Sequence, residues 1–170
     1  WTQVGSDIGG EAANDHSGKS ISMSSDGSIV AIGAAWNDGN GSASGHVKIY
    51  KNVNDTWTQI GSDITGDVLS DWASKSAIAV SESGNIIAIG SEKANTNGID
   101  SGQVSVYKYS IDTNSWIQLG TVINGETAGD FFGSSLSLSH DGEYLAVGSP
   151  KNQKTGQVKI YQFLNDDWEQ

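Results

Sequence analysis

The sequence predicts an all-β fold built by repetition, and three observations predict it: a pentapeptide that keeps returning, a regular succession of short apolar runs, and a composition suited to turns. Trp1-Thr-Gln-Val-Gly5 recurs as Trp57-Thr-Gln-Ile-Gly61 and Trp116-Ile-Gln-Leu-Gly120, and begins again at Trp168-Glu-Gln170. A period of about 50 residues or a little more suits architectures in which one unit cannot bury its own apolar face and stacks on its neighbours. The chain is read as one array, with repeats at 1–56, 57–115 and 116–167 and a further one opening at 168–170. Its 22 Gly, single Pro and abundant Ser, Asn and Asp suit many tight turns, while six Trp and recurrent Ile, Val and Leu argue for a core.

Within each repeat the pentapeptide is followed by Gly and a carboxylate (Gly10-Glu11, Gly66-Asp67, Gly125-Glu126) and then by Asp15, Asp71 or Asp130. Alternating apolar pairs come next: Ile21/Met23, Ile78/Val80 and Leu136/Leu138. A turn ending in Gly27, Gly84 or Gly142 leads into the compact runs Ile29–Gly33, Ile86–Gly90 and Tyr144–Gly148. Asp-Gly between two apolar strands predicts a tight hairpin with both central residues at positive φ. Consecutive apolar residues with small Ala and Gly among them predict a strand buried on both faces. After a variable polar loop, Gly45–Tyr50, Gly102–Tyr107 and Gly156–Tyr161 alternate in the manner of a strand with one packed face. The Trp segment supplies the outermost strand. Four antiparallel strands per unit make a β-propeller blade, so the expected fold is three blades of a partial ring. The second copy has one residue more than the others between Asp71 and Gly84, which predicts a β-bulge there.

The third copy runs Phe132-Gly133-Ser-Ser-Leu-Ser-Leu-Ser-His-Asp141-Gly142-Glu-Tyr-Leu-Ala-Val-Gly148-Ser149-Pro150, and this resembles the FG-GAP repeat of integrin α-chains and of many bacterial and algal surface proteins. The first copy has Ser17-Gly18 and Gly33-Ala-Ala35 at those points, and the second Ser74-Lys75 and Gly90-Ser-Glu92. The resemblance implies an extracellular or cell-surface location and roles in adhesion or recognition. It also raises calcium. The hairpin turns Ser25-Asp26-Gly27, Glu82-Ser83-Gly84 and His140-Asp141-Gly142 offer at most two acidic side chains each, where calcium takes six to eight oxygens, so no metal or cofactor is expected there.

The formal charge of −11 comes from 20 carboxylates against 9 lysines, with no arginine. Such a surface repels phosphate backbones and lacks the guanidinium fork, which sets aside nucleic acid and anionic membranes as partners. No stretch approaches the ~20 apolar residues of a spanning helix, so membrane insertion is not expected. The absence of Cys excludes disulfides and thiolate metal sites. Two sequons, Asn40-Gly-Ser42 and Asn54-Asp-Thr56, would be open to glycosylation in a secreted protein. Trp1 begins a repeat in register, so the sequence reads as a piece of something longer rather than as starting with a leader.

No catalytic constellation is recognised, and the expectation is a module that is not an enzyme. Residues 13–20 fall one Gly short of a phosphate-binding loop, and their counterparts in the other copies lie on a strand rather than before a helix. Ser139-His140-Asp141 holds triad residue types as chain neighbours, which cannot face one another as a triad must. His16, His46 and His140 occupy different phases of the repeat, so they do not converge as equivalent ligands. The candidate ligand-binding residues are the recurring acids Glu11, Asp15, Asp67, Asp71, Glu126 and Asp130, with Trp36 in a variable loop as an aromatic platform for a sugar or protein. An Asp that recurs in every copy is equally a turn cap accepting backbone N–H groups. Trp1, Trp57, Trp116, Trp168, Tyr50, Tyr107, Tyr161 and Phe132 are expected to pack the blades.

Three blades cannot close a ring, since closure takes about four to eight. The missing neighbours are therefore expected to come from a second copy joined head to tail, with the first strand of one chain completing the last blade of the other, or from further blades of a longer parent. The function expected is adhesion, scaffolding or self-assembly, the alternative being a lectin-like or cation-dependent ligand-binding propeller.

Overall fold

The computed structural model describes residues 1–39, 41, 44–65 and 77–170, and these fold as three antiparallel sheets packed face to face in an open arc. Blade 1 consists of β1 (Ser17–Met23), β2 (Ile29–Ala34), β3 (His46–Val53) and β4 (Thr56–Gln59), paired in that order, with the two-residue β5 (Ile64–Thr65) added to β3. Blade 2 repeats this as β6 (Ala77–Val80), β7 (Ile86–Ser91), β8 (Gln103–Ser110) and β9 (Ser115–Gln118), with β10 (Ile123–Asn124) on β8. Blade 3 is β11 (Ser135–Leu138), β12 (Tyr144–Ser149), β13 (Gln157–Leu164) and β14 (Asp167–Glu169).

The side-chain period of two decides which residues meet between blades. On blade 1, Ile29, Ala31, Val47 and Ile49 point toward blade 2 and form one buried cluster with Ile78, Ile87 and Ile89. On blade 2, Ala88, Val104 and Val106 point toward blade 3 and form the second with Phe132, Leu145, Val147 and Tyr161. Each blade is thus too thin to own a core, and the core lies in the two seams. Phe132 meets Tyr161 edge to face at 6.2 Å between ring centres. Burial, and then the nearby Glu126 charge, pushes the Tyr161 hydroxyl up to about 12.

Phe132-Gly133 docks backbone to backbone on blade 2. The Phe132 N–H donates to Ser101 O at 3.1 Å, and Gly102 bridges to Phe132. A Cβ on Gly90 would stand 2.0 Å from Gly133 O, and one on Gly102 would stand 2.1 Å from Phe132 O. Glycine is therefore required at both positions by the close approach of two chains.

Two expectations are corrected, and a third, the β-bulge of the second copy, lies partly outside the described residues. The hairpins between first and second strands form, but only Gly27, Gly84 and Gly142 take positive φ, not the residue before each. Type I′ geometry, with two successive positive φ values, occurs instead at Asn54-Asp55 and Asn165-Asp166, in the turns between third and fourth strands. The segment from Trp1 to Ile8 is not a strand, and β14 already pairs with Gln162–Leu164 of β13, so the third blade has its outer strand without a second chain. Finally, the extra residue of the second copy falls partly outside the described residues, and Ala77–Val80 pairs regularly with Ile87–Gly90. An irregularity appears in blade 1, where the register shifts between Ser17 and Ser20.

Candidate functional site

Trp57, Trp116 and Trp168 each sit on a fourth strand and reach back to the preceding repeat. The indole N–H groups of Trp57, Trp116 and Trp168 donate to the carbonyls of Val4, Ile60 and Leu119 at 3.0, 3.1 and 2.9 Å. Each indole edge lies over the next residue, Gly5, Gly61 or Gly120, where a Cβ would come within 2.6–3.0 Å of ring carbon Cδ1. The pentapeptide is therefore a latch that ties the exit of one blade to the outer strand of the next. Trp168 is buried, Trp57 and Trp116 are half-buried, and Trp1 is fully exposed rather than packed. Tyr50 and Tyr107 are half-buried at the position of Tyr161.

The recurring acids divide into two kinds. Asp15 and Asp130 are buried and fold the link onto the blade. Asp15 accepts from Ala12 N–H at 3.2 Å and from the Asn37 amide at 2.8 Å, and Asp130 accepts from Thr127 N–H at 3.0 Å and from the Asn152 amide at 3.0 Å. Glu11 and Glu126 are exposed and pair with Lys48 and Lys159, both drawn largely into the sheet. Asp67 and Asp71 lie outside the described residues. Ser17–Ser20 runs as strand, as the phosphate-loop near-match would not. Ser139 donates to Asp141, and His140 contacts Glu82 on the neighbouring blade's turn.

Blade 1 adds a cluster that the sequence reading did not assemble. His46 and Lys48 stand two residues apart on β3 and so share a face. Pairing of β5 with β3 sets Thr65 opposite His46 and Ile64 opposite Val47, which brings Asp63 beside Lys48. Ligand atoms of Glu11, His46 and Asp63 all lie within 4.8 Å of one another. Burial lowers the affinity of His46 for a proton, with Asp63 opposing. Lys48 is held above its ordinary value although burial disfavours its charge, because the Glu11 hydrogen bond and the Asp63 charge outweigh that cost. A signal for this cluster does exist in the sequence: His46, Lys48 and Asp63 stand where the following copies have Gln103, Ser105 and Val122.

Trp36, in the variable loop of blade 1, is partly exposed and stacks on His16 at 5.3 Å with the planes 22° apart. The far side of blade 3 is open. Val158 and Ile160 are 68% and 53% exposed, whereas their counterparts Val104 and Val106 on blade 2 are 0% and 1% exposed. Tyr144 on the same face is 45% exposed against 8% for Ile86. A shallow trough lined by Ser135, Gly148, Ser149, Pro150, Gly156 and Gln157 lies beside them, at the place where blade 2 receives Phe132-Gly133. At the other end of the arc, Ile21 and Met23 of β1 are exposed where Ile78 of β6 is buried.

No curated protein matches the chain. Several solved structures do. A candidate 6-phosphogluconolactonase from Bacteroides uniformis matches with a TM-score of 0.65 and 14% identity, over 94% of this chain and 40% of its own. The periplasmic gluconolactonase of Pseudomonas aeruginosa matches at 0.51 and 17%, over 85% and 39%. The β-propeller domain of the trilobed protease of Pyrococcus furiosus, described as having an open velcro topology, matches at 0.50 and 12%, over 89% and 40%. The chain spans about two fifths of the length of these neighbours. These likenesses are of fold.

They correct the expectation that the chain is not an enzyme. Lactonases are enzymes, and they are built on blades of this kind. In repeat folds the blades fix the frame while chemistry resides in side chains grafted on it, so the lack of a recognisable triad in the repeats does not exclude catalysis. Among the described residues, no helix is long and apolar enough to cross a membrane. The FG-GAP repeat model matches residues 9–50, from the acidic link into β3 of blade 1, so the resemblance read from the sequence holds for that repeat, and the chain is a set of propeller blades whose first is similar to the FG-GAP repeat.

Proposed function

We propose that this chain is a propeller repeat module of an extracellular or cell-surface protein, and that it builds an adhesion or scaffold surface by stacking on a second copy of itself. One observation carries the reading: the open face of blade 3 presents Tyr144, Val158 and Ile160 at positions that are buried in both existing seams. A second copy would lay Ser17-Gly18 and β1, with Ile21 and Met23, on that face as Phe132-Gly133 and β11 lie on blade 2. The contact continues an interface already built twice in the chain, and its two sides differ, so it is head to tail. Contiguous exposed apolar surface of this kind marks an interaction site.

The test is the solution mass by light scattering after size exclusion. The expected mass is a multiple of 17.8 kDa, falling to 17.8 kDa in Ile160→Glu with an unchanged circular dichroism spectrum. A wild-type mass of 17.8 kDa at every concentration would overturn the proposal. A second reading, carbohydrate binding, is favoured by the Trp36 ring held on His16. Glycan-array binding that disappears in Trp36→Ala is its expected result, and binding that survives would remove it.

A further inference from the structure

We infer that Glu11, His46 and Asp63 on blade 1 form a site for a divalent first-row transition metal, which the Lys48 ammonium occupies in competition with the ion. The three ligand atoms come from three separate segments: the link before β1, strand β3, and the link between β4 and β5. Two carboxylates and one imidazole suit zinc, cobalt or nickel, whereas calcium prefers a shell of oxygens. Ligand atoms around a tetrahedral ion at about 2.0–2.2 Å stand a little over 3 Å apart. The present spread of up to 4.8 Å therefore closes by movement of about 1–2 Å, which the exposed Glu11 side chain makes by exchanging the Lys48 ammonium for the ion.

The independent observation is His46. It is 5% exposed, yet neither ring nitrogen has a hydrogen-bond partner among the described residues. Buried polar groups are nearly always satisfied, so a buried imidazole beside two carboxylates with no hydrogen-bond partner among the described residues needs an explanation. A metal ion supplies one.

Lys48 makes the site a competition. Its Nζ pairs with Glu11 and lies 3.5 Å from Asp63 Oδ2, and so supplies the positive charge both carboxylates require. A divalent ion at the same point uses both carboxylates and also the His46 nitrogen. Blade 3 has the Lys159–Glu126 pair but Gln157 in place of His46, so the full set occurs in blade 1. The inference is independent of stacking between copies.

The experiment is calorimetric titration of the protein with Zn²⁺, with the visible spectrum of Co²⁺ as a second readout of ligand geometry. One Zn²⁺ per chain is expected, with affinity falling at least tenfold in Asp63→Asn and His46→Gln and rising at least tenfold in Lys48→Met. His16→Ala and His140→Ala are expected to bind as the wild type does. Asp63 is half-buried outside both core clusters and Asn keeps its size, so Asp63→Asn keeps the test valid if His46→Gln fails to fold. Absence of Zn²⁺ binding, or binding equal in Asp63→Asn and the wild type, would overturn the site.

Discussion

Replacing Gly90 by alanine tests whether the blades are held by close backbone contact at the seam. Gly90 is in β7 with an ordinary strand φ, so the substitution carries no conformational strain and would alone stabilise by about 0.4–1 kcal/mol through the unfolded chain. The new methyl, however, would stand 2.0 Å from Gly133 O and 2.9 Å from Gly133 C, both backbone atoms that cannot rotate away. Restoring van der Waals distance means moving blade 3 off blade 2 by about 1 Å. That movement stretches the 3.1 Å bond from Phe132 N–H to Ser101 O, and it loosens Phe132 in the seam. Overpacking typically costs about 1–3 kcal/mol and a weakened buried hydrogen bond about 1 kcal/mol, so the net loss expected is about 2–3 kcal/mol.

Urea unfolding followed by tryptophan fluorescence measures this loss. Gly148→Ala is the matched control, because at the same position of blade 3 the new methyl meets the Ser135 hydroxyl, a side chain that can turn aside. The control should cost less than about 1 kcal/mol. Equal stability of Gly90→Ala and wild type, or equal losses in the two variants, would refute the reasoning.

Trp116→Phe removes the indole N–H while keeping most of the ring, and should cost about 1 kcal/mol by denaturation through loss of the bond to Ile60 O. Trp168→Ala, at a buried indole, should cost about 3–5 kcal/mol in the same assay. Asp130→Ala leaves the Asn152 amide and the Thr127 N–H without their acceptor, and a loss of about 2–3 kcal/mol is expected by denaturation. The Asp26 carboxyl is lowered to about 2 by the Ser24 hydroxyl and by the Ser28 N–H and hydroxyl. A depressed carboxyl stabilises the fold above its unfolded value near 4 and loses that contribution as pH falls toward 2. Thermal midpoints of wild type and Asp26→Asn should therefore differ most above pH 4 and converge as pH falls to about 2. A constant difference over that range would show that the Asp26 charge is not involved.

The sequence alone determined the repeating unit, its four strands and the order in which they pair, because these follow from local chemistry. Alternation at Leu136/Leu138, the compact run Tyr144–Gly148 and the turn glycines each constrain the backbone where they stand. The FG-GAP resemblance was read on the short motifs Phe132-Gly133 and Gly148-Ser149-Pro150, and the family match falls on the first copy, residues 9–50, where those motifs are altered to Ser17-Gly18 and Gly33-Ala-Ala35. Turn type was less legible: Asp26-Gly27 and Asn54-Asp55 both suit a hairpin, and only the register of the flanking strands put paired positive φ at the second.

What the tertiary structure decided was everything that joins distant repeats. The five-residue motif was visible, but its role as a latch needs Trp116 and Ile60, which are brought together by packing of successive blades. Asp15 and Asp130 were visible as recurring acids, and only the partners Asn37 and Asn152, each 22 residues away, made them structural clamps. Glu11 was singled out from sequence, while His46 and Asp63 were not joined to it, because strand β5 is two residues long and its pairing with β3 places Asp63. The open face of blade 3 has the same residue pattern as the covered faces of blades 1 and 2. Burial depends on what stands opposite a strand, and in a stack of like units that is set by the neighbour, not by the strand's own sequence.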